Sequence, residues 1–267
     1  MNARLISQKT LKDATVPVVF FILALSAWQA TVQLNHIPPY ILPAPTVIFY
    51  KLIEDRALLF SSLLITLSVT LKALILATLC GAGLALILSQ SRLLERALLP
   101  FAIILQVTPI IAIAPLLLVY LDASKAVLVC AFLVAFFPIL SNTSLGLASV
   151  DLRLQELFEL YKASAWQKLV YLRMPAALPY FLTGLRIGGG LSLIGAIVAE
   201  LAAGASGQGT GLAFRIVEAG FRLDVPRMFA ALTLISMSGL SIYGLLALLT
   251  HYLLHRWHES ARRDHRD

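Results

Sequence analysis

The sequence predicts an all-α protein, a polytopic transmembrane helical bundle of about six spans with a two-helix loop between spans four and five. Three observations predict it. Of 267 residues, 59% are apolar and only 13% charged, with a mean hydropathy of +0.86, whereas soluble domains carry about 25% charge. Apolar runs of the roughly 20 residues needed to cross hydrocarbon recur from end to end. The charges gather in the short segments between those runs. Helices are expected because every backbone polar group must find a partner within lipid. The even recurrence reads as one membrane domain over 1–267, with core spans within 60–254.

The N-terminal stretch MNARLISQKTLKDATVPVVFFILALSAWQA begins with charge like a signal peptide. No A-x-A-like site with a polar break follows its apolar part, so it reads as a retained first span over about 15–34. Pro38, Pro39, Pro43 and Pro45 then impose an extended piece before a short amphipathic helix. Span two covers about 62–88, interrupted by Lys72. Span three covers 97–121 and contains Pro109 and Pro115. Span four covers 126–150, span five 180–203 and span six 228–254, with a Gly-rich loop after span five.

Net charge is +7, but the basic residues form no face with interleaved aromatics, which excludes a nucleic-acid partner. Their distribution instead orients the chain. With both termini cytoplasmic, 13 of the 21 Lys and Arg lie on the cytoplasmic side, 6 lie opposite, and Lys72 and Arg186 lie within spans. That places 151–179 in the cytoplasm. Cys80 and Cys130 sit in apolar runs without metal-ligand spacing. His251 and His255 stand at i and i+4 without a nearby carboxylate, an interfacial pair, so no metal site and no catalytic constellation is expected.

The segment 151–179 is the longest polar stretch. Leu154, Leu157, Phe158 and Tyr161 share one helical face, and Glu156 and Glu159 turn towards another. Ser164 is placed to N-cap a second helix reaching about Arg173, and Pro175 and Pro179 are expected to break it. Two such helices either lie flat at the headgroups or present a knob to a soluble partner.

The same segment resembles the cytoplasmic motif of membrane subunits of bacterial ABC importers. That motif reads Glu-Ala-Ala, three residues, Gly, nine residues, Ile, one residue, Leu-Pro. The matching positions are Glu156, Leu157, Phe158, Lys162, Leu172, Met174 and Pro175. The stretch 160–167, which includes Ala163 and Ser164, is similar to the aliphatic sulfonate, nitrate and taurine branch. So are Ala177-Leu178-Pro179, Gly184-Leu185-Arg186, Val198-Ala199-Glu200 and the Ile41-Leu42-Pro43-Ala44-Pro45 run. Departures are Leu157 and Phe158 in place of alanines and Lys162 in place of the glycine that turns between the coupling helices; a longer continuous helical turn is the expected substitute. The resemblance implies a bacterial inner-membrane importer permease for a small solute of the sulfonate, nitrate or taurine kind. A vitamin precursor such as a pyrimidine or riboflavin is the alternative. It also implies a separate ATPase carrying ATP and Mg and docking on 151–179, an extracytoplasmic solute-binding protein, and a second copy of the chain. The chain itself has no G-x-x-x-x-G-K-[ST] and needs no cofactor of its own.

Five residues are candidates for pathway or gating roles: Lys72 inside span two, Thr108 before Pro109, Gly189 and Ser192 in the small-residue stripe of span five, and Glu200 at its far end. Intramembrane charges point to function by default, set against snorkelling or an Arg215 partner for Glu200. Small residues serve helix packing equally well. A secondary transporter or channel would need an internal repeat or paired charges, and a membrane enzyme a polar constellation at one depth. The sequence offers neither.

Overall fold

In the computed structural model, residues 2–204 and 210–254 are described, and all regular structure among them is helical. The elements are α1 (Asn2–Leu34), α2 (Pro45–Glu54), α3 (Arg56–Leu88), α4 (Arg92–Val107), α5 (Ile110–Tyr120), α6 (Ala123–Ala148), α7 (Leu152–Leu160), α8 (Ala165–Lys168), a π-helical turn (Leu169–Arg173), α9 (Met174–Ala203), α10 (Leu212–Phe221) and α11 (Val225–Leu254). Five stretches are long and apolar enough to cross a membrane: 15–34, 56–88, 123–148, 165–203 and 225–254. His255 and the C-terminal arginines used in the charge count lie outside the described residues, as does most of the Gly-rich loop.

Three differences from expectation have local causes. The stretch 97–121 is two helices, because Thr108 is extended (φ −71°, ψ 124°). A residue before proline is steered out of the helical region, and Pro109 has no N–H to continue the ladder. By contrast, Pro175 and Pro179 do not break the chain. Pro175 stands at the switch from the π-helical turn to α9, directly after the Met174 N–H that reaches back to the Leu169 carbonyl, and the wider turn carries the helix past it. The helix that carries span five therefore begins near Ala165, ahead of the apolar stretch that starts near Tyr180. Finally, α10 was not anticipated, although Leu212, Ala213 and Ala219 at helical spacing are its buried positions.

The contacts group into two compact units, Met1–Phe60 with Arg215–Thr233, and Ser61–Phe214 with Leu234–Asp267. In the first, Gln29 of α1 accepts from the Thr46 backbone N–H at 3.2 Å and so caps α2, whose own N-cap residue, Ala44, cannot. Asp55 meets Arg227 Nε at 2.6 Å, and Lys51 lies within 3.5 Å of both Asp55 and Asp224. Burial works against the Asp55 carboxylate, but Arg227 and then Lys51 outweigh it and hold its pKa below the usual carboxylate range. The Glu218 carboxylate is held low chiefly by the Arg215 hydrogen bond.

The second unit is organised on α6 and α9, which pack along their length. Small residues make that approach possible. A Cβ on Gly195 would sit 2.9 Å from the Ala131 Cα, and one on Gly184 would sit 2.8 Å from the Pro138 carbonyl oxygen. The core there is Cys130, Ala131, Ala135 and Ile139 from α6 against Leu182, Leu185, Ala196 and Ala199 from α9.

Candidate coupling segment and gating residues

The segment after α6 is built from local capping. Asp151 accepts from the Arg153 backbone N–H at 2.8 Å and starts α7. α7 ends in a Schellman turn: the Ala163 N–H bonds the Phe158 carbonyl and the Lys162 N–H bonds the Glu159 carbonyl, both at 2.9 Å. This motif requires a left-handed residue, and Lys162 supplies it with φ 54°. Thus the lysine adopts the glycine conformation itself, and the expected longer helical turn is absent. Ser164 then caps α8 in a capping box, accepting from the Gln167 N–H at 3.2 Å while Gln167 accepts from the Ser164 N–H at 2.8 Å.

The result is a short exposed helix, a tight turn, and a second helix that runs through the π turn into α9. Glu156 is exposed, and Glu159 is paired with Lys168 at 3.1 Å. Leu157 and Tyr161 are exposed, Phe158 and Ala163 half-buried. Leu172 is buried and Pro175 half-buried. Arg173, not singled out in the sequence, donates from Nη1 to the Ser89 carbonyl at the end of α3 at 3.0 Å.

Glu200 sits at the other end of α9. It is 7% exposed, so it does not snorkel. Thr66 of α3 donates its hydroxyl to Oε1 at 2.9 Å, and the Ala213 N–H donates to Oε2 at 3.2 Å. Thr66 in turn accepts from the Leu212 N–H at 2.9 Å. A carboxylate and a hydroxyl thus cap the start of α10, where backbone donors are otherwise orphaned. Arg215 is engaged with Glu218 at 2.7 Å. A Cβ on Gly211 would collide with the Glu200 carboxylate, so only glycine lets the two meet. Sequence reasoning missed Thr66, although Ser62, Thr66 and Thr70 form a hydroxyl stripe at i, i+4 and i+8, and all three are fully buried. From Thr66 to Ser89, α3 rises roughly 35 Å, about the thickness of a hydrocarbon core and its edges. The Glu200 cluster and the Arg173 contact are therefore as far apart along α3 as the two edges of a hydrocarbon core.

The remaining candidates separate. Lys72 is exposed on α3, about 9 Å along the helix from Thr66. Gly189 packs against Leu246 and Ile242 of α11, and Ser192 is buried with its hydroxyl on the Gly189 carbonyl at 2.9 Å. Thr108 bonds the Ile104 carbonyl at 2.8 Å. With Gln106, Pro109, Val134, Pro138 and Leu191 it lines a cavity of about 370 Å³ at the α4–α5 break. Arg186 lies 5.7 Å over the Tyr243 ring. Among the described residues no cluster of three His, Cys, Asp or Glu could hold a metal.

Long apolar helices linked by a capped polar segment are the architecture of a multi-pass membrane protein. The chain belongs to the family described as binding-protein-dependent transport system inner membrane component, whose pattern matches residues 73–257. Its relatives bear this out. It is 36% identical over 250 residues to the riboflavin transport system permease protein of Chloroflexus aurantiacus, covering 92% of this chain and 90% of that one. It is 32% identical over 244 residues to the formylaminopyrimidine transport permease protein of Halalkalibacterium halodurans, covering 91% and 96%. It is 29% identical over 257 residues to the putative aliphatic sulfonates transport permease protein of Bacillus subtilis, covering 94% and 88%. The chain is an ABC importer permease of the inner membrane, not an enzyme.

Proposed function

We propose that two copies of this chain form the pathway of an importer driven by a separate ATPase, which grips residues 151–179 from the cytoplasm. One observation carries the reading: the helix from Ala165 continues unbroken through the π turn into α9 and on to Ala203. A push on the exposed α7–α8 knob is transmitted along that helix to the Glu200 cluster at the opposite face. The Schellman turn and the capping box make the knob stiff, so the push is not lost in local bending. Glu156, Leu157 and Tyr161 form its exposed surface, and Glu159 braces it through Lys168. An extracytoplasmic binding protein delivers the solute at the Glu200 face, with both termini of the permease in the cytoplasm.

Two solute classes are supported. Relatives named for riboflavin and formylaminopyrimidine favour a heterocyclic vitamin precursor, and the relative named for aliphatic sulfonates favours a small anion. The ligand that the partner binding protein retains on purification decides between them.

The reading is tested by Glu156→Lys, which reverses an exposed charge without touching the Glu159–Lys168 brace. Membrane insertion and yield are expected to stay normal while ATP-driven uptake falls roughly tenfold, the size of an ordinary coupling free energy. Adding Glu159→Lys is expected to abolish coupling. Normal uptake by the double variant refutes docking at this surface.

A further inference from the structure

At the root of the knob lies a cavity of about 530 Å³, enclosed by the ends of α3 and α6 and by the start of the α8–α9 helix. Its polar lining is Ser89, Gln90, Ser144, Gln155, Lys168 and Arg173. No carboxylate lines it among the described residues. Lys168 is paired with Glu159 outside the lining at 3.1 Å, whereas among the described residues the Arg173 guanidinium donates to the neutral Ser89 carbonyl alone, at 3.0 Å, leaving most of its five donors for another partner. The Ser144 hydroxyl on the same wall is buried with no hydrogen-bond partner among the described residues, a group that ordinarily costs about 1–3 kcal/mol if left so. Gln90 and Gln155 already spend amide hydrogens on the Leu86 and Val150 carbonyls, which fixes their orientation.

We propose that this cavity binds a phosphate-type oxyanion, either a phospholipid headgroup or a free phosphorylated solute. A tetrahedral oxyanion offers what the lining lacks: acceptors for the Arg173 fork and the Lys168 ammonium at once, and for the Ser144 hydroxyl once rotation about χ1 turns it towards the cavity. The three groups come from α6, from the π turn and from α8, so the anion ties the knob to the bundle and stiffens the base of the lever. On the orientation given above the cavity opens at the cytoplasmic face, where basic pockets between spans meet anionic headgroups. The basic lining draws an anion whether or not an ATPase docks at 151–179.

The purified permease–ATPase complex is melted in chloride buffer, with inorganic phosphate added at constant ionic strength, and separately with short-chain phosphatidylglycerol or phosphatidylcholine. A saturable rise in the melting temperature is expected with phosphate or phosphatidylglycerol and not with phosphatidylcholine. Phosphatidylglycerol alone assigns the site to lipid; phosphate assigns it to a soluble ligand. Arg173→Gln is expected to remove the rise and Ser144→Ala to reduce it, which separates this site from phosphate bound on the ATPase. Should Arg173→Gln fail to assemble, Lys168→Gln carries the same test. No rise with either anion, an equal rise with phosphatidylcholine, or an undiminished rise in the variants overturns the proposal.

Discussion

Among the described residues, three helices end on a left-handed residue that is not glycine: His36 after α1, Lys162 after α7 and Leu223 after α10, with φ of 50°, 54° and 56°. Each closes a Schellman turn, with Ile37, Ala163 and Asp224 donating back to Val32, Phe158 and Ala219. Left-handed backbone costs a residue with a Cβ about 1–2 kcal/mol, so packing and the paired carbonyls must hold these turns. Part of that cost returns when glycine is placed there, less the chain entropy that glycine adds to the unfolded state. Lys162→Gly is accordingly expected to stabilise the protein by ~0.5–1 kcal/mol, read as a rise in the midpoint of thermal unfolding, with transport retained. A drop would mean that the lysine side chain, and not its backbone, holds the turn. These caps were illegible in the sequence for a physical reason. The usual signal is glycine itself, and it is missing at all three. The side-chain cap at Ser164 was legible because its chemistry is written in the residue and in Gln167 three places on.

At the scale of elements, what the sequence conveyed depended on whether one residue or a pair of elements decided the outcome. Long spans were legible because apolar length alone decides them. The break inside 97–121 is carried by Thr108-Pro109, which the sequence displayed but whose outcome, a kink or a full stop, depends on what packs beside it. Pro175 misled in the other direction, since the π-helical step before it widens the turn and lets the helix continue past the ring. The Glu200 cluster needed three elements at once. Glu200 was legible as an intramembrane charge, but its partners come from α3 and from the start of α10, 134 positions away along the chain for Thr66 and 13 for Ala213. This arrangement predicts an asymmetry between two substitutions. Glu200→Ala orphans the Ala213 donor and opens a cavity, and should cost about 2 kcal/mol. Glu200→Gln keeps an oxygen that can accept and should cost about half as much. Thermal unfolding of the two purified variants measures this, and equal losses would show that the space filled by the side chain, not its hydrogen bonds, holds α10 in place.

At the scale of the whole molecule, the chain is a permease whose proposed source of energy is a separate ATPase. No phosphate-binding loop occurs in its sequence, and the intramembrane charges it carries are dispersed. Lys72 is exposed on α3, Arg186 lies over an aromatic ring, and Glu200 caps a helix. A secondary transporter couples solute to an ion through a shared midplane site built on broken helices. The one broken helix here, at Thr108-Pro109, opens onto a cavity that no ionisable side chain lines among the described residues. The proposed ATPase docking at 151–179 makes nucleotide hydrolysis, and not an ion gradient, the source of energy. Vesicles containing the permease alone are accordingly expected to stay empty of solute under either a proton or a sodium gradient. Vesicles that also hold the ATPase, with ATP inside and the binding protein outside, are expected to fill against the solute gradient. The Glu156→Lys permease in the second set should return uptake towards the level of the first while ATP hydrolysis continues. Gradient-driven uptake by the permease alone would place the energy source inside the bundle and make α7–α8 a membrane-surface element instead of a lever.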